Sequence, residues 1–126
     1  MEKNKILLVD DEEDIRDILS IVLTDMGYQI LSAKDGEDAL QCFEREHPSI
    51  VLTDIKMPGK DGFAVLRQIK SMAPDTNVIV ITGHGDQDLA RQAFDLDACA
   101  FFNKPLDTDA LEQEIQRIEA ALENAT

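Results

Sequence analysis

Residues 6–33 read ILLVDDEEDIRDILSIVLTDMGYQILSA, and this stretch decides the fold. It opens on a short apolar run, Ile6–Val9, and closes on a second, Gln29–Ala33. Between them Ile15, Ile18, Leu19, Val22, Leu23 and Met26 recur at i, i+3, i+4, i+7, i+8 and i+11. That spacing is one face of a helix, and Gly27 supplies its C-terminal stop. Apolar runs without in–out alternation suit strands covered on both faces. Strand, helix and strand make a βαβ unit, which crosses over right-handed and leaves its two strands parallel.

The same unit recurs along the chain. Further apolar runs fall at Ile50–Thr53, Val78–Ile81 and Ala100–Phe102. Asp35-Gly36 opens a second helix that carries Ala39, Leu40 and Phe43 inward and ends at His47-Pro48. Asp61 caps a third, with Phe63, Leu66 and Ile69 inward. Asp86 caps a weaker fourth with Leu89, Ala93 and Phe94, and Asp107 or Thr108 caps a fifth with Leu111, Ile115, Ile118 and Leu122. Five strands alternating with five helices predict an α/β fold. It is a single, doubly wound, five-stranded parallel sheet with helices on both faces. No linker, repeat or low-complexity tract interrupts it, so residues 1–126 read as one domain.

Composition narrows the function classes. With 126 residues, 44% of them apolar and 30% charged, the chain can bury a core without disulfides. Cys42 and Cys99 lack a CxxC spacing and read as small buried hydrophobes of a reducing compartment. Ile6–Val9 is too short for a signal-peptide core or a membrane span, so a cytoplasmic location is expected, with no membrane partner. The net charge of −14, from 12 basic and 26 acidic residues, leaves no basic footprint for direct nucleic-acid binding.

In an open parallel sheet, function gathers outside the carboxyl ends of the strands. The first run ends in Asp10-Asp11-Glu12, the third in Asp54, the fourth in Thr82-Gly83 and the fifth in Asn103-Lys104-Pro105. The second ends in Ala33-Lys34-Asp35, which reads as plain helix capping. Taken singly, each of these pieces is also a cap or a turn. Together they bring three carboxylates, a hydroxyl and an ammonium to one edge. Three carboxylates at close quarters repel one another, and a hard divalent cation such as Mg²⁺ relieves that conflict. Lys104 is suited to pairing with a phosphate oxygen. An ionised Asp54 in such company is suited to nucleophilic attack on a phosphoryl group, giving an acyl phosphate.

These residues resemble the receiver domain of bacterial two-component response regulators, over essentially the whole chain. The resemblance is carried by Leu8-Val9-Asp10-Asp11-Glu12, Asp54-Ile55-Lys56-Met57-Pro58-Gly59 with Asp61-Gly62, Val80-Ile81-Thr82-Gly83, and Phe101-Phe102-Asn103-Lys104-Pro105. It implies the flavodoxin-like strand order 2-1-3-4-5. It implies Asp54 as phosphoacceptor and Mg²⁺ held by Asp11, Asp54 and the backbone carbonyl of Lys56, with Asp10 acting mainly through water. Thr82, Gly83 and Lys104 would meet the phosphoryl oxygens, and the Lys104–Pro105 peptide would be cis. Thr82 and Phe101 would form the switch, reshaping the surface of the fourth helix, fifth strand and fifth helix. The implied partners are a histidine kinase or phosphotransfer protein and a downstream output module or protein, with a homodimer through that surface as a further option. Such a protein is a switch that assists its own phosphorylation and dephosphorylation, not a turnover enzyme on an external substrate.

Some positions depart from the family pattern. Asp97-Ala98 stands where Gly-Ala is usual; if Asp97 must take a positive φ there it is strained, though Asp tolerates this better than most residues. The switch aromatic is Phe101, not Tyr. His84, two residues beyond Thr82, is either a solvated loop residue or a group that tunes the lifetime of the acyl phosphate. Leu111, Ile115, Ile118 and Leu122 also follow a heptad, compatible with core packing or with a coiled coil. The chain reads as a stand-alone receiver or, by a slight preference, the N-terminal domain of a longer protein.

Three rivals remain. A pseudo-receiver working without phosphate would have lost Asp54, Lys104 or one of the acidic pair. An Asp-nucleophile phosphohydrolase would want an acid two residues after Asp54, where Lys56 stands. A flavin carrier would want a Ser-, Thr- or Gly-rich loop in place of Asp10-Asp11-Glu12-Glu13.

Overall fold

The computed structural model describes residues 5–57, 61–83, 87–104 and 106–124. Five strands alternate with five helices: β1 (Lys5–Val9), α1 (Glu13–Asp25), β2 (Gln29–Ala33), α2 (Gly36–Glu46), β3 (Ile50–Asp54), α3 (Gly62–Met72), β4 (Asn77–Thr82), α4 (Gln87–Asp95), β5 (Ala100–Asn103) and α5 (Thr108–Asn124). The strands form one parallel sheet in the order β2-β1-β3-β4-β5.

Successive strand residues face opposite ways, so each central strand feeds two cores. Ile6, Leu8, Ile50, Leu52, Ile79 and Ile81 pack against Leu19 and Leu23 of α1 and Leu111, Ile115 and Ile118 of α5. Leu7, Val9, Val51, Val78 and Val80 pack on the opposite face against residues of α2, α3 and α4, among them Phe43, Leu66 and Ala93. This double burial is why β1, β3 and β4 read as continuous apolar runs.

Local signals set most element ends. Asp35 accepts the Asp38 N–H at 2.8 Å and Asp61 accepts the Ala64 N–H at 2.9 Å, as N-caps do. Asp107, not Thr108, caps α5, accepting from Asp109 and Ala110 at 3.0 and 3.2 Å. Asp86 and the role expected of it lie outside the described residues. Helix α1 begins after Glu12, whose side chain makes no capping bond, and ends before Gly27 at φ 97°. His47 closes α2 in the left-handed region at φ 48°, and Asp97 takes φ 69°, as its place in the loop before β5 requires.

Two inward assignments are corrected. Ile18 is 54% exposed and Phe94 49% exposed. At about 100° per residue, Ile18 lies a quarter turn from Leu19, and Phe94 lies as far from Ala93. The sheet covers only the stripe centred on the buried neighbour in each case. In contrast, Leu111, Ile115 and Ile118 of α5 are at most 2% exposed, so the heptad is the core seam of this helix.

Candidate functional site

The order of the sheet places β1 beside β3, with Val9 opposite Thr53. Asp10 and Asp54 come next along the two strands, and their chains then leave toward α1 on one face and α3 on the other. The crevice opens at this divergence. β4 pairs with β3 through Asp54 and Ile81, and with β5 through Thr82 and Asn103, so Lys104 follows at the same edge. Its backbone N–H donates to the Thr82 carbonyl at 2.8 Å.

The Lys104 ammonium is the hub of the site. Its Nζ lies 2.8 Å from Glu12 Oε1, 3.1 Å from Asp10 Oδ2 and 3.1 Å from Asp54 Oδ2. The second oxygens are also engaged: Asp10 Oδ1 accepts the Glu12 N–H at 2.9 Å, and Asp54 Oδ1 accepts the Lys56 N–H at 3.2 Å. Asp10, Asp54 and Thr82 are buried, whereas Asp11, Lys56 and Gly83 are exposed. Asp11, Glu12, Asp54, Lys56, Gly83 and Lys104 line a cleft of ≈ 270 Å³.

Electrostatics follow from this crowding. Burial raises the Asp10 carboxyl above the usual aspartate range. The Glu12 N–H and Lys104 pull it down, while the charge of Asp54 pushes it further up. Hydrogen bonding to Lys104 holds the Glu12 carboxyl below its ordinary value. Burial works against the charge on Lys104. The bonds to Glu12, Asp10 and Asp54 outweigh burial and keep it firmly protonated.

Carboxylate oxygens of Asp10, Asp11, Glu12 and Asp54 all lie within 4.8 Å of one another. One ammonium does not balance four carboxylates, and a half-open set of hard oxygen donors fits a divalent cation such as Mg²⁺. The structure therefore brings Asp10, Asp11, Asp54, Lys56 and Lys104 together, with Gly83 on the rim. Thr82, fully buried, lies at the end of β4 behind them. Phe101, half-buried and opposite Val80, packs on the α2–α4 side of the sheet. His84 and Pro105, and with Pro105 the expected cis peptide, lie outside the described residues. Cys42 and Cys99 stand apart from the site, and burial pushes both thiols up, Cys99 to about 11.

Three contributors were not assigned a role from sequence. Glu12 read as part of an acidic turn, and nothing local shows that it reaches Lys104. Arg16 donates from Nη1 to the Asp10 carbonyl, bracing the turn from within α1. Gly62 stands where a Cβ would lie 2.0 Å from the Asp54 carbonyl oxygen. Its place in the Asp61-Gly62 pair, directly after the cap and among the residues that carry the family resemblance, was the available signal.

Comparison with known proteins agrees with this geometry. The family model described as response regulator receiver domain matches residues 6–116. The chain is 36% identical over 117 residues to sporulation initiation phosphotransferase F of Bacillus subtilis (strain 168), covering 93% of the chain and 94% of that protein. Other curated relatives are longer: the chain spans 52% of one and 25% of another. A receiver domain protein from Clostridium thermocellum superposes with a TM-score of 0.92 at 32% identity, covering 98% of this chain and 100% of that one. A chain of the CheX-CheY-BeF3-Mg+2 complex from Borrelia burgdorferi superposes with a TM-score of 0.87 at 30% identity, covering 91% of this chain and 88% of that one.

Proposed function

The chain belongs to the response regulator receiver domain family, and on that premise we propose that it is a phosphorylation-driven signalling switch whose Asp54 accepts the phosphoryl group. One observation carries this reading. Asp54 ends the central strand β3 buried among three other carboxylates, with the Lys104 ammonium 3.1 Å from its Oδ2. An Asp54 oxygen forms the new bond to phosphorus as the bond to the donor's leaving group breaks. Lys104 turns from the carboxylates to the phosphoryl oxygens, and the backbone N–H of Gly83 on the rim meets them with it. Asp10, Asp11, Asp54 and the Lys56 carbonyl would hold Mg²⁺, which neutralises carboxylate charge and charge developing on phosphoryl oxygens.

The chain's own coupling runs from there. Thr82 moves toward the phosphoryl group while its carbonyl stays tied to Lys104, and Phe101 turns into the space vacated. The surface of α4, β5 and α5 changes with it, which a downstream module, a partner protein or a second copy reads. Phosphate biases two states that already exist. The donor is a histidine kinase or phosphotransfer protein. The domain acts on itself and turns over no external substrate. No helix among the described residues is long and apolar enough to cross a membrane.

Incubating the domain with acetyl phosphate and Mg²⁺ and measuring intact mass tests the proposal. One phosphoryl group is gained, the gain is lost with EDTA, and Asp54→Asn gains none. No adduct and no response to beryllofluoride would overturn the phosphoacceptor assignment and favour a pseudo-receiver.

A further inference from the structure

Three carboxylates hold the Lys104 ammonium, and they are not equivalent. The side chains of Asp10 and Asp54 are 6% exposed, and each is pinned by a second bond to a backbone N–H. Glu12 is 58% exposed, yet it makes the shortest of the three contacts, 2.8 Å. It occupies the N-cap of α1 without a capping bond there, and reaches instead to a lysine 92 residues away. A lysine ammonium has three N–H donors. Glu12 and Asp54 accept two of them at 2.8 and 3.1 Å, and Asp10 lies at ion-pair distance, 3.1 Å, so an anion arriving at Asp54 competes with carboxylates already gathered on the ammonium.

We propose that Glu12 is a positioning residue that holds Lys104 in the anion-free state and competes with an anion at Asp54 for it. The inference rests on the phosphoacceptor reading above. Asp10 and Asp54 are fixed to buried strand ends, and only Glu12 can turn into water when it lets go. Glu12 is also one of the four carboxylates clustered within 4.8 Å, so it adds to the attraction for a divalent cation. Removing its charge therefore acts in opposite directions. The cation loses a neighbouring anion and binds more weakly. The anion finds a lysine donor already open and binds more tightly. A residue that merely supported the local fold would weaken both when replaced.

The test is titration of the ¹⁵N-labelled domain by NMR, first with Mg²⁺ and then with beryllofluoride at saturating Mg²⁺. Wild type, Glu12→Gln and Glu13→Gln are compared. Glu13 is the adjacent exposed acid, so its replacement removes the same unit of charge from the same turn. Glu12→Gln is expected to weaken Mg²⁺ and to tighten beryllofluoride, each about two- to fivefold, the scale of an exposed ion pair. Without either ligand, the Lys104 ammonium resonance shifts in Glu12→Gln and stays in place in Glu13→Gln. Unchanged or weaker beryllofluoride binding by Glu12→Gln overturns the inference, as does an equal effect from Glu13→Gln. A wild type that fails to bind beryllofluoride overturns the phosphoacceptor reading and this inference with it. Failure of Glu12 alone is recognised because the wild type then binds.

Discussion

A Cβ added at residue 62 would sit 2.0 Å from the Asp54 carbonyl oxygen and 2.7 Å from Ile55 Cα, both rigid backbone. The Gly62 N–H also donates to the Ile55 carbonyl at 2.8 Å, so α3 starts in direct contact with the peptide that carries Asp54. Gly62→Ala should cost about 1–3 kcal/mol in urea unfolding and weaken Mg²⁺ binding together, because the strain falls on the site's own backbone. Asp10 shows the opposite case, a carboxyl held where burial opposes its charge. Its carboxyl ionises at higher pH in the fold than the ordinary 3.8, chiefly through burial. A carboxyl raised in this way favours the fold while protonated and costs stability as pH rises through its folded value. Asp10→Asn should therefore raise the thermal midpoint at pH 7 in metal-free buffer. The gain should shrink as pH falls toward 3.8, and calorimetry across that interval checks the sign.

At the scale of elements, α5 shows how one pattern serves one purpose. Its Leu111, Ile115 and Ile118 could pack a sheet or a partner helix, and the sheet takes them. Ile115→Ala should lower stability by about 2–5 kcal/mol in urea unfolding while leaving the oligomeric state unchanged. A change in sedimentation with little loss of stability would contradict the core role. The outer face of α5 is instead polar, where Arg117 pairs with Glu114. Helices α1 and α4 carry apolar stripes wider than the sheet can cover, which leaves Ile18 and Phe94 in water. Apolar spacing predicts that a helix has an inner face, but the width of that face depends on what it meets.

For the whole molecule, the order β2-β1-β3-β4-β5 brings Asp10 and Asp54 side by side and Lys104 across from them. The four clustered carboxylates repel one another, and Lys104 offsets only part of that charge. A ligand bound by the fold alone stabilises it by mass action. Mg²⁺ at ten times its dissociation constant should raise the midpoint by roughly 5 °C for a domain of this size, about 1.4 kcal/mol. Ca²⁺-free buffer with Mg²⁺ titrated in differential scanning calorimetry gives the curve. A midpoint that stays flat would mean the cluster holds no divalent cation.

The alternation of apolar runs and amphipathic stretches was enough to determine five strands, five helices and a sheet buried on both faces. Strand length, helix period and the Asp35 and Asp61 caps are local properties, written in neighbouring residues. The groups at the strand ends, from Asp10 to Lys104, could also be named, because a parallel sheet sends every such end to one edge. Resemblance to the receiver family supplied the strand order, which periodicity leaves open. Only the tertiary structure decided that Glu12 holds Lys104, that Arg16 braces the Asp10 carbonyl, and that Gly62 must lack a side chain. Each of these is a distance between atoms brought together by packing, and no residue's own chemistry or spacing encodes it.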